Sequence, residues 1–314
     1  MASQKDGFRK LAMATIIATY FLIFVGGLVR VAGAGLGCPD WPKCFDSWIP
    51  PTSIEQVPPE FSPEQFNFVL AWTEYINRLI GVVIGFLIFA TAIAAFRKYR
   101  QHKTVLYSAF AALILVAFQG WLGGQVVATE LAPILVSVHM IVALIIVSLL
   151  IYSLQQAYML TSGKSELSAG YPAKSHLWFA GLWIFGLGQI VFGTQVREAL
   201  EIALKNFPSF TVEQLLSHTA VIIDVHASLG ALLTVGVIWA GWKILKLSDS
   251  PTRAVTNAVK SAAALAAIQI LTGVVLKYLG LPGLSKLFHL LFATMMSGLL
   301  FFLYVTLKPQ RKVR

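Results

Sequence analysis

The chain has 314 residues, of which 57% are hydrophobic and only 12% charged, against the roughly one quarter charged that soluble domains carry. This balance excludes a soluble globular fold and describes a membrane protein. The net charge of +10 is a topology signal rather than a nucleic-acid footprint, because no basic patch is interleaved with aromatics.

Apolar runs long enough to cross about 30 Å of hydrocarbon at about 1.5 Å per residue lie near 11–30, 68–96, 104–127, 134–156, 176–196, 217–245, 258–279 and 284–306. Eight spanning helices are predicted. The first run is too long for a signal peptide and no small-residue cleavage site follows it, so it is read as a span. Lys5, Arg9 and Lys10 precede it; Arg97, Lys98, Arg100 and Lys103 fill the second connection; Lys164 and Lys174 fill the fourth. Lys243, Lys246, Arg253 and Lys260 fill the sixth, and Lys308, Arg311, Lys312 and Arg314 the tail. All fall on one side. The positive-inside rule makes that side cytoplasmic, with both termini, in a bacterial-type cell membrane.

Residues 31–66 form the longest outer connection. Its prolines at 39, 42, 50, 51, 58, 59 and 63 predict turns and extended pieces rather than a long helix. Gly33-Ala34-Gly35-Leu36-Gly37 lacks the preceding strand and following helix that a dinucleotide fingerprint requires, so it is read as a flexible mouth. Cys38 and Cys44, the only cysteines, lie in this connection, where an oxidising exterior permits a disulfide, either a structural staple or a redox-active pair.

The second span carries Glu74, Asn77 and Arg78, and ionisable groups inside a span are costly and usually functional. Its counterpart in the sixth span reads Ile223-Asp224-Val225-His226-Ala227-Ser228-Leu229-Gly230; setting Gly81 against Gly230 puts Asn77 opposite His226. Gly27-Leu28-Val29-Arg30 matches Thr194-Gln195-Val196-Arg197 in the same way. Gln119-Gly120-Trp121-Leu122-Gly123 and Gln269-Ile270-Leu271-Thr272-Gly273 are each followed by a histidine, His139 and His289, twenty residues after the glutamine. The expected fold is therefore an all-α polytopic membrane protein. Its two four-helix bundles, 1–156 and 176–314, are related by a pseudo-two-fold along the membrane normal and joined by a cytoplasmic linker, 157–175.

His139 and His289 lie about six residues into their spans and His226 about nine, depths of roughly 8–14 Å at about 1.5 Å per residue. Imidazoles facing each other at one level suit the axial ligands of a heme, which needs one or two, whereas no acid or cysteine completes a tetrahedral zinc set there. His226 and His289 form the expected pair in the second unit. His139 faces Asn77, a poor iron ligand, so the first unit reads as reactive and the second as an electron relay. Arg30, Arg78 and Arg197 are candidates for pairing heme propionates. Lys277 and Lys286 are further candidates, with snorkelling as the alternative. Glu74 lies one turn from Asn77, placed either to handle a proton near the reacting centre or to pair with Arg78. His218 is read as peripheral, and His102 and His176 as interfacial.

Gly26-Gly27-Leu28-Val29-Arg30, Gly33 through Cys44 with its Cys-Pro-Asp-Trp-Pro core, Glu74-Tyr75-Ile76-Asn77-Arg78 and the repeated Gln-to-His blocks together resemble the heme A synthase family. The resemblance covers nearly all eight helices. It implies oxidation of a ring methyl of heme O, the substrate, to a formyl group by successive oxygenations, with heme b as prosthetic group. It implies His226 and His289 as heme b ligands, His139 as ligand of the substrate heme, Glu74 as the essential acid and Cys38 and Cys44 in the outer loop, with the heme sites near the outer face. A heme O synthase, an electron donor and the bilayer are the implied partners, and self-association is compatible with it. The chain departs from the family at Asn77, where members often have histidine, and at Ala227, where many have arginine. No second cysteine pair is expected in 197–216. The alternatives are a b-type membrane cytochrome that only transfers electrons, and a heme or small-molecule carrier.

Overall fold

A computed structural model describes residues 7–161 and 170–309. Lys5, Lys164, Arg311, Lys312 and Arg314 of the charge pattern, and much of the expected linker, lie outside the described residues. The helices are α1 (Gly7–Val31), α2 (Phe68–Tyr99), α3 (Lys103–Ala128), α4 (Pro133–Thr161), α5 (Ser175–Asn206), α6 (Val212–His218), α7 (Ala220–Leu247), α8 (Arg253–Tyr278) and α9 (Gly283–Leu307). All but α6 are long and apolar enough to cross a membrane, and no strand occurs among the described residues. The protein is an all-α polytopic membrane protein with eight spans.

Local chemistry sets the helix ends. Asn67 accepts from the Leu70 amide at 3.1 Å to start α2, and Thr252 accepts from the Val255 amide at 3.3 Å to start α8. The turn joining α3 to α4 and that joining α8 to α9 are built alike. Glu130 and Leu131 in one, and Gly280 and Leu281 in the other, take left-handed backbone, and the Leu131 and Leu281 amides bond back to Val126 and Leu276. The Gln-to-His blocks are thus repeats of backbone as well as of sequence.

The sixth predicted run is broken. Thr211 and Gln214 form a capping box that starts α6. The His218 ring packs edge-on to Phe207 at 5.1 Å and Phe210 at 6.0 Å, turning the chain before α7 begins at Ala220. The predicted run starts at Ser217, inside the last turn of α6, because composition does not mark the break at Thr219. The correction matters for the site. His226 lies six residues into α7, matching His139 in α4 and His289 in α9, rather than nine.

The chain divides into two compact units, Met1–Leu150 and Ile151–Arg314, so the last turns of α4 belong with the second unit, where the Gln155 side chain donates to Thr306 Oγ1 at 3.0 Å. In the first unit α1 packs on α2 through the Thr15 and Thr91 hydroxyls, 2.9 Å apart, and through Phe8 edge-on to Tyr99. In the second, α5, α7, α8 and α9 enclose Phe179, Val237, Ile244, Val255 and Leu300. Exposed Phe86, Leu232 and Val235 face outward, where hydrocarbon solvates them.

The connection between α1 and α2 contains three short 3₁₀ turns, at Ala34–Leu36, Ile54–Gln56 and Pro63–Gln65, as its prolines predict. Cys38 and Cys44 are disulfide-bonded. Both are fully buried with Phe45 and Ala71, and Phe61 and Phe66 stand edge-on to Phe45 at 5.4 and 5.6 Å. The loop therefore has a small core of its own, one wall of which is α2.

Candidate functional site

Each span that carries a site histidine is fixed in depth by a glutamine on a neighbouring helix. The side-chain amides of Gln119, Gln269 and Gln189 donate to the backbone carbonyls of His139, His289 and His226 at 2.8, 2.7 and 2.6 Å. A second bond onto a helical carbonyl ties the two helices at the level of the imidazole. Gln119 and Gln269 follow from the repeat. Gln189 is not visible in sequence, because it lies 37 residues before its histidine rather than 20 and acts from α5.

Four glycines make room beside the site side chains. A Cβ on Gly123 would meet His139 Cε1 at 3.6 Å, one on Gly273 would meet His289 Cε1 at 3.7 Å, and one on Gly193 would meet His226 Cε1 at 3.2 Å. A Cβ on Gly26 would meet Asn77 Oδ1 at 3.8 Å. Gly26 and Gly193 correspond when the two Val-Arg ends are aligned. Asn77 therefore holds the place of His226 in its surroundings as well as in register.

The His226 and His289 rings lie with centroids 6.4 Å apart and planes 59° apart. This gap accommodates one metal ion bonded to both rings, since two metal–nitrogen bonds of about 2.0 Å and half a ring at each end fill it. Thr272 can hold the tautomer that such a site needs. With its proton on the Ile268 or Gln269 carbonyl, at 3.0 and 3.1 Å, its Oγ1 accepts from His289 Nδ1 at 2.8 Å, the arrangement that leaves Nε2 for a metal. His226 Nδ1 has only the Gln189 amide nitrogen, at 3.2 Å. No cluster of three His, Cys, Asp or Glu side chains occurs among the described residues, so the donor set is one or two imidazoles per unit, the number heme iron takes.

In the first unit Leu122 stands where Thr272 stands in the second, and His139 Nδ1 is buried without a partner. Asn77 Oδ1 and the side-chain oxygens of Gln119, Gln189 and Gln269 are also buried and unpartnered. Orphaned polar atoms are rare in a folded interior, and their concentration around these histidines marks a place for a guest with polar groups. The residues fit heme.

The remaining sequence candidates divide. Glu74 and Arg78 form a buried ion pair at 2.5 Å, the second of the two readings. Arg197 pairs with Glu201 at 2.6 Å, and Lys277 with Asp224 at 2.6 Å in an exposed pair that an anionic ligand can displace. Arg30 lies in the last turn of α1 and Lys286 in the first turn of α9.

A profile of the COX15-CtaA family, described as cytochrome oxidase assembly protein, matches residues 9–301. The chain belongs to that family. It is similar to proteins named heme A synthase from Shewanella oneidensis, 30% identical over 144 residues that make up 45% of this chain and 43% of the relative, and from Geobacillus kaustophilus, 33% identical over 115 residues, 37% and 32% of the two. A heme A synthase from Bartonella bacilliformis is 25% identical over 221 residues, 62% of this chain and 59% of that protein. The chain thus spans between about a third and three fifths of the length of these relatives. The heme A synthase family is the one that the Cys-Pro-Asp-Trp-Pro block resembles.

Proposed function

We propose that this protein is a heme A synthase, an integral-membrane oxidoreductase of heme A biosynthesis that oxidises a ring methyl of heme O to a formyl group. The observation that carries this reading is the His226–His289 ring pair at 6.4 Å within an arrangement repeated around His139. The similarity to proteins named heme A synthase supports it.

In this reading His226 and His289 hold heme b, and His139 holds the substrate heme. The bound hemes supply iron chemistry, namely electron transfer at the bis-histidine site and oxygenation at the other. The chain supplies the rest. Thr272 orients His289, the three glutamines set the depth of each ligand, and the glycines leave room beside the rings. Asn77, whose carbonyl oxygen is buried without a partner, would bind iron more weakly than the imidazole that stands at this register in the second unit. Arg30, Arg197, Lys277 and Lys286 lie in helix turns that can meet propionates, on the outer side in the positive-inside orientation.

The test is expression of the full chain in cells that make heme O but lack heme A, followed by extraction and chromatography. Formyl heme is expected with the wild-type chain and none with His139→Ala. Bound heme with no oxidised product from the wild type would replace this reading with that of a b-type cytochrome.

A further inference from the structure

The acid–arginine pair on α2 is spent on the loop above it. Both Glu74 oxygens are engaged: Oε2 accepts from the Cys38 amide at 2.9 Å and Oε1 from Arg78 at 2.5 Å. Arg78 also donates to the carbonyls of Asp40 at 2.9 Å and Lys43 at 2.6 Å, inside the ring that the disulfide closes. Asp40 in turn accepts from the Phe45 and Asp46 amides at 2.6 and 3.0 Å. Every link beyond the Glu74–Arg78 pair ends on loop backbone. Glu74 is only 4% exposed, so the groups hold one another in place away from water.

The loop has a second footing on α3. The Trp41 ring lies over Gly124, where a Cβ would stand 2.8 Å from Cδ2. The adjacent Gly123 is the residue that faces His139, and Asn77 lies one turn along α2 from Glu74. Both footings of the loop are thus within a turn of the first-unit site.

The second unit provides an internal comparison. In the register that sets Asn77 against His226, Glu74 and Arg78 correspond to Ile223 and Ala227. The connection after α5 contains no cysteine. The unit without a disulfide loop has neither the acid nor the arginine at these positions.

We infer that Glu74 and Arg78 are positioning residues that hold the Cys38–Cys44 loop closed over the Asn77–His139 site, so that Glu74 acts on the reaction through the loop rather than by handling a proton. The docking stands on the hydrogen bonds alone, whereas its consequence for the reaction rests on the heme A synthase reading.

The experiment uses the full chain in detergent and measures how fast the disulfide is reduced by a water-soluble phosphine, read by maleimide labelling of the freed thiols. Glu74→Ala is expected to speed reduction at least about tenfold, as one lost charged hydrogen bond implies. Arg78→Gln, which leaves Glu74 in place, is expected to do the same and serves if Glu74→Ala does not fold. In cells that make heme O, Glu74→Ala, the Cys38→Ser/Cys44→Ser variant and the triple variant are expected to lose formyl heme to the same extent. Unchanged reduction rates in folded Glu74→Ala and Arg78→Gln would overturn the inference. So would a triple variant markedly less active than the cysteine variant alone. A wild type that makes no formyl heme would remove the proposed reaction and leave the reduction result standing.

Discussion

Gly37→Ala separates the seating of the loop from the chemistry of Glu74. Gly37 has φ −67° and ψ −24°, right-handed backbone that alanine adopts without strain. The obstacle is purely spatial. A Cβ there would lie 2.3 Å from the Leu70 carbonyl oxygen, 2.4 Å from its carbon and 2.8 Å from the Ala71 nitrogen, all backbone atoms of α2. Restoring ordinary packing distance lifts the loop by about 1 Å, which stretches the 2.9 Å bond from the Cys38 amide to Glu74 past hydrogen-bonding range. A bond to a charged group contributes about 1.5–3 kcal/mol, or about 10- to 100-fold in the population of the lifted loop. Reduction of the Cys38–Cys44 disulfide by the phosphine should accelerate by that factor. Gly35→Ala meets only the Leu131 side chain, at 3.2 Å, and Gly120→Ala meets nothing within 4 Å, so these should show a small effect and none. A folded Gly37→Ala protein reduced at the wild-type rate would refute the claim that the loop is seated on the α2 backbone.

Two further substitutions address the ligands. Thr272→Val removes the acceptor for His289 Nδ1–H and is expected to weaken heme retention by about 10- to 100-fold, measured by transfer to a heme-scavenging apoprotein; unchanged retention would mean that Thr272 does not orient the ring. Asn77→His places an imidazole beside Gly26 as His226 lies beside Gly193, and is expected to add a second low-spin bis-histidine signal in electron paramagnetic resonance of the heme-loaded chain. A spectrum identical to wild type would count against Asn77 facing the His139 ligand position.

Much of the fold is legible in the sequence because solvation leaves a strong trace there. Eight apolar runs, the repeated Gln-to-His spacing and the matched Val-Arg ends are enough for an all-helical membrane fold, and the twin left-handed turns at Glu130–Leu131 and Gly280–Leu281 bear out the repeat at the backbone. Hydropathy sums over a window and does not resolve a one-residue break between helices, which is why the sixth run starts at Ser217 rather than Ala220 and His226 reads as deeper than it is. Gln189, Gly37, Trp41 and Gly124 are beyond reach for another reason. Their roles depend on which helix lies beside which, and on how a connection of more than thirty residues folds back, neither of which periodicity encodes.

The two units carry matching sequence blocks, and their agreements and differences separate frame from function. Both units place glycine beside the same side chains, Gly26 and Gly193 next to Asn77 and His226, and Gly123 and Gly273 next to His139 and His289, so this part of the frame is common to both. Where they differ, the difference must serve what the units do not share. Thr272 against Leu122 and His226 against Asn77 change what stands beside the histidines without changing the frame: His289 has a hydroxyl at its Nδ1 and a second imidazole 6.4 Å away, whereas His139 Nδ1 is buried without a partner. Glu74 and Arg78 against Ile223 and Ala227 add two charges to the first unit at a depth where uncompensated charge is costly. They pair with each other and with the backbone of the disulfide loop, and the acid, the arginine and the loop occur together in one unit and are together missing from the other. Their joint presence is accounted for by one task, holding the disulfide loop against α2 one turn from Asn77.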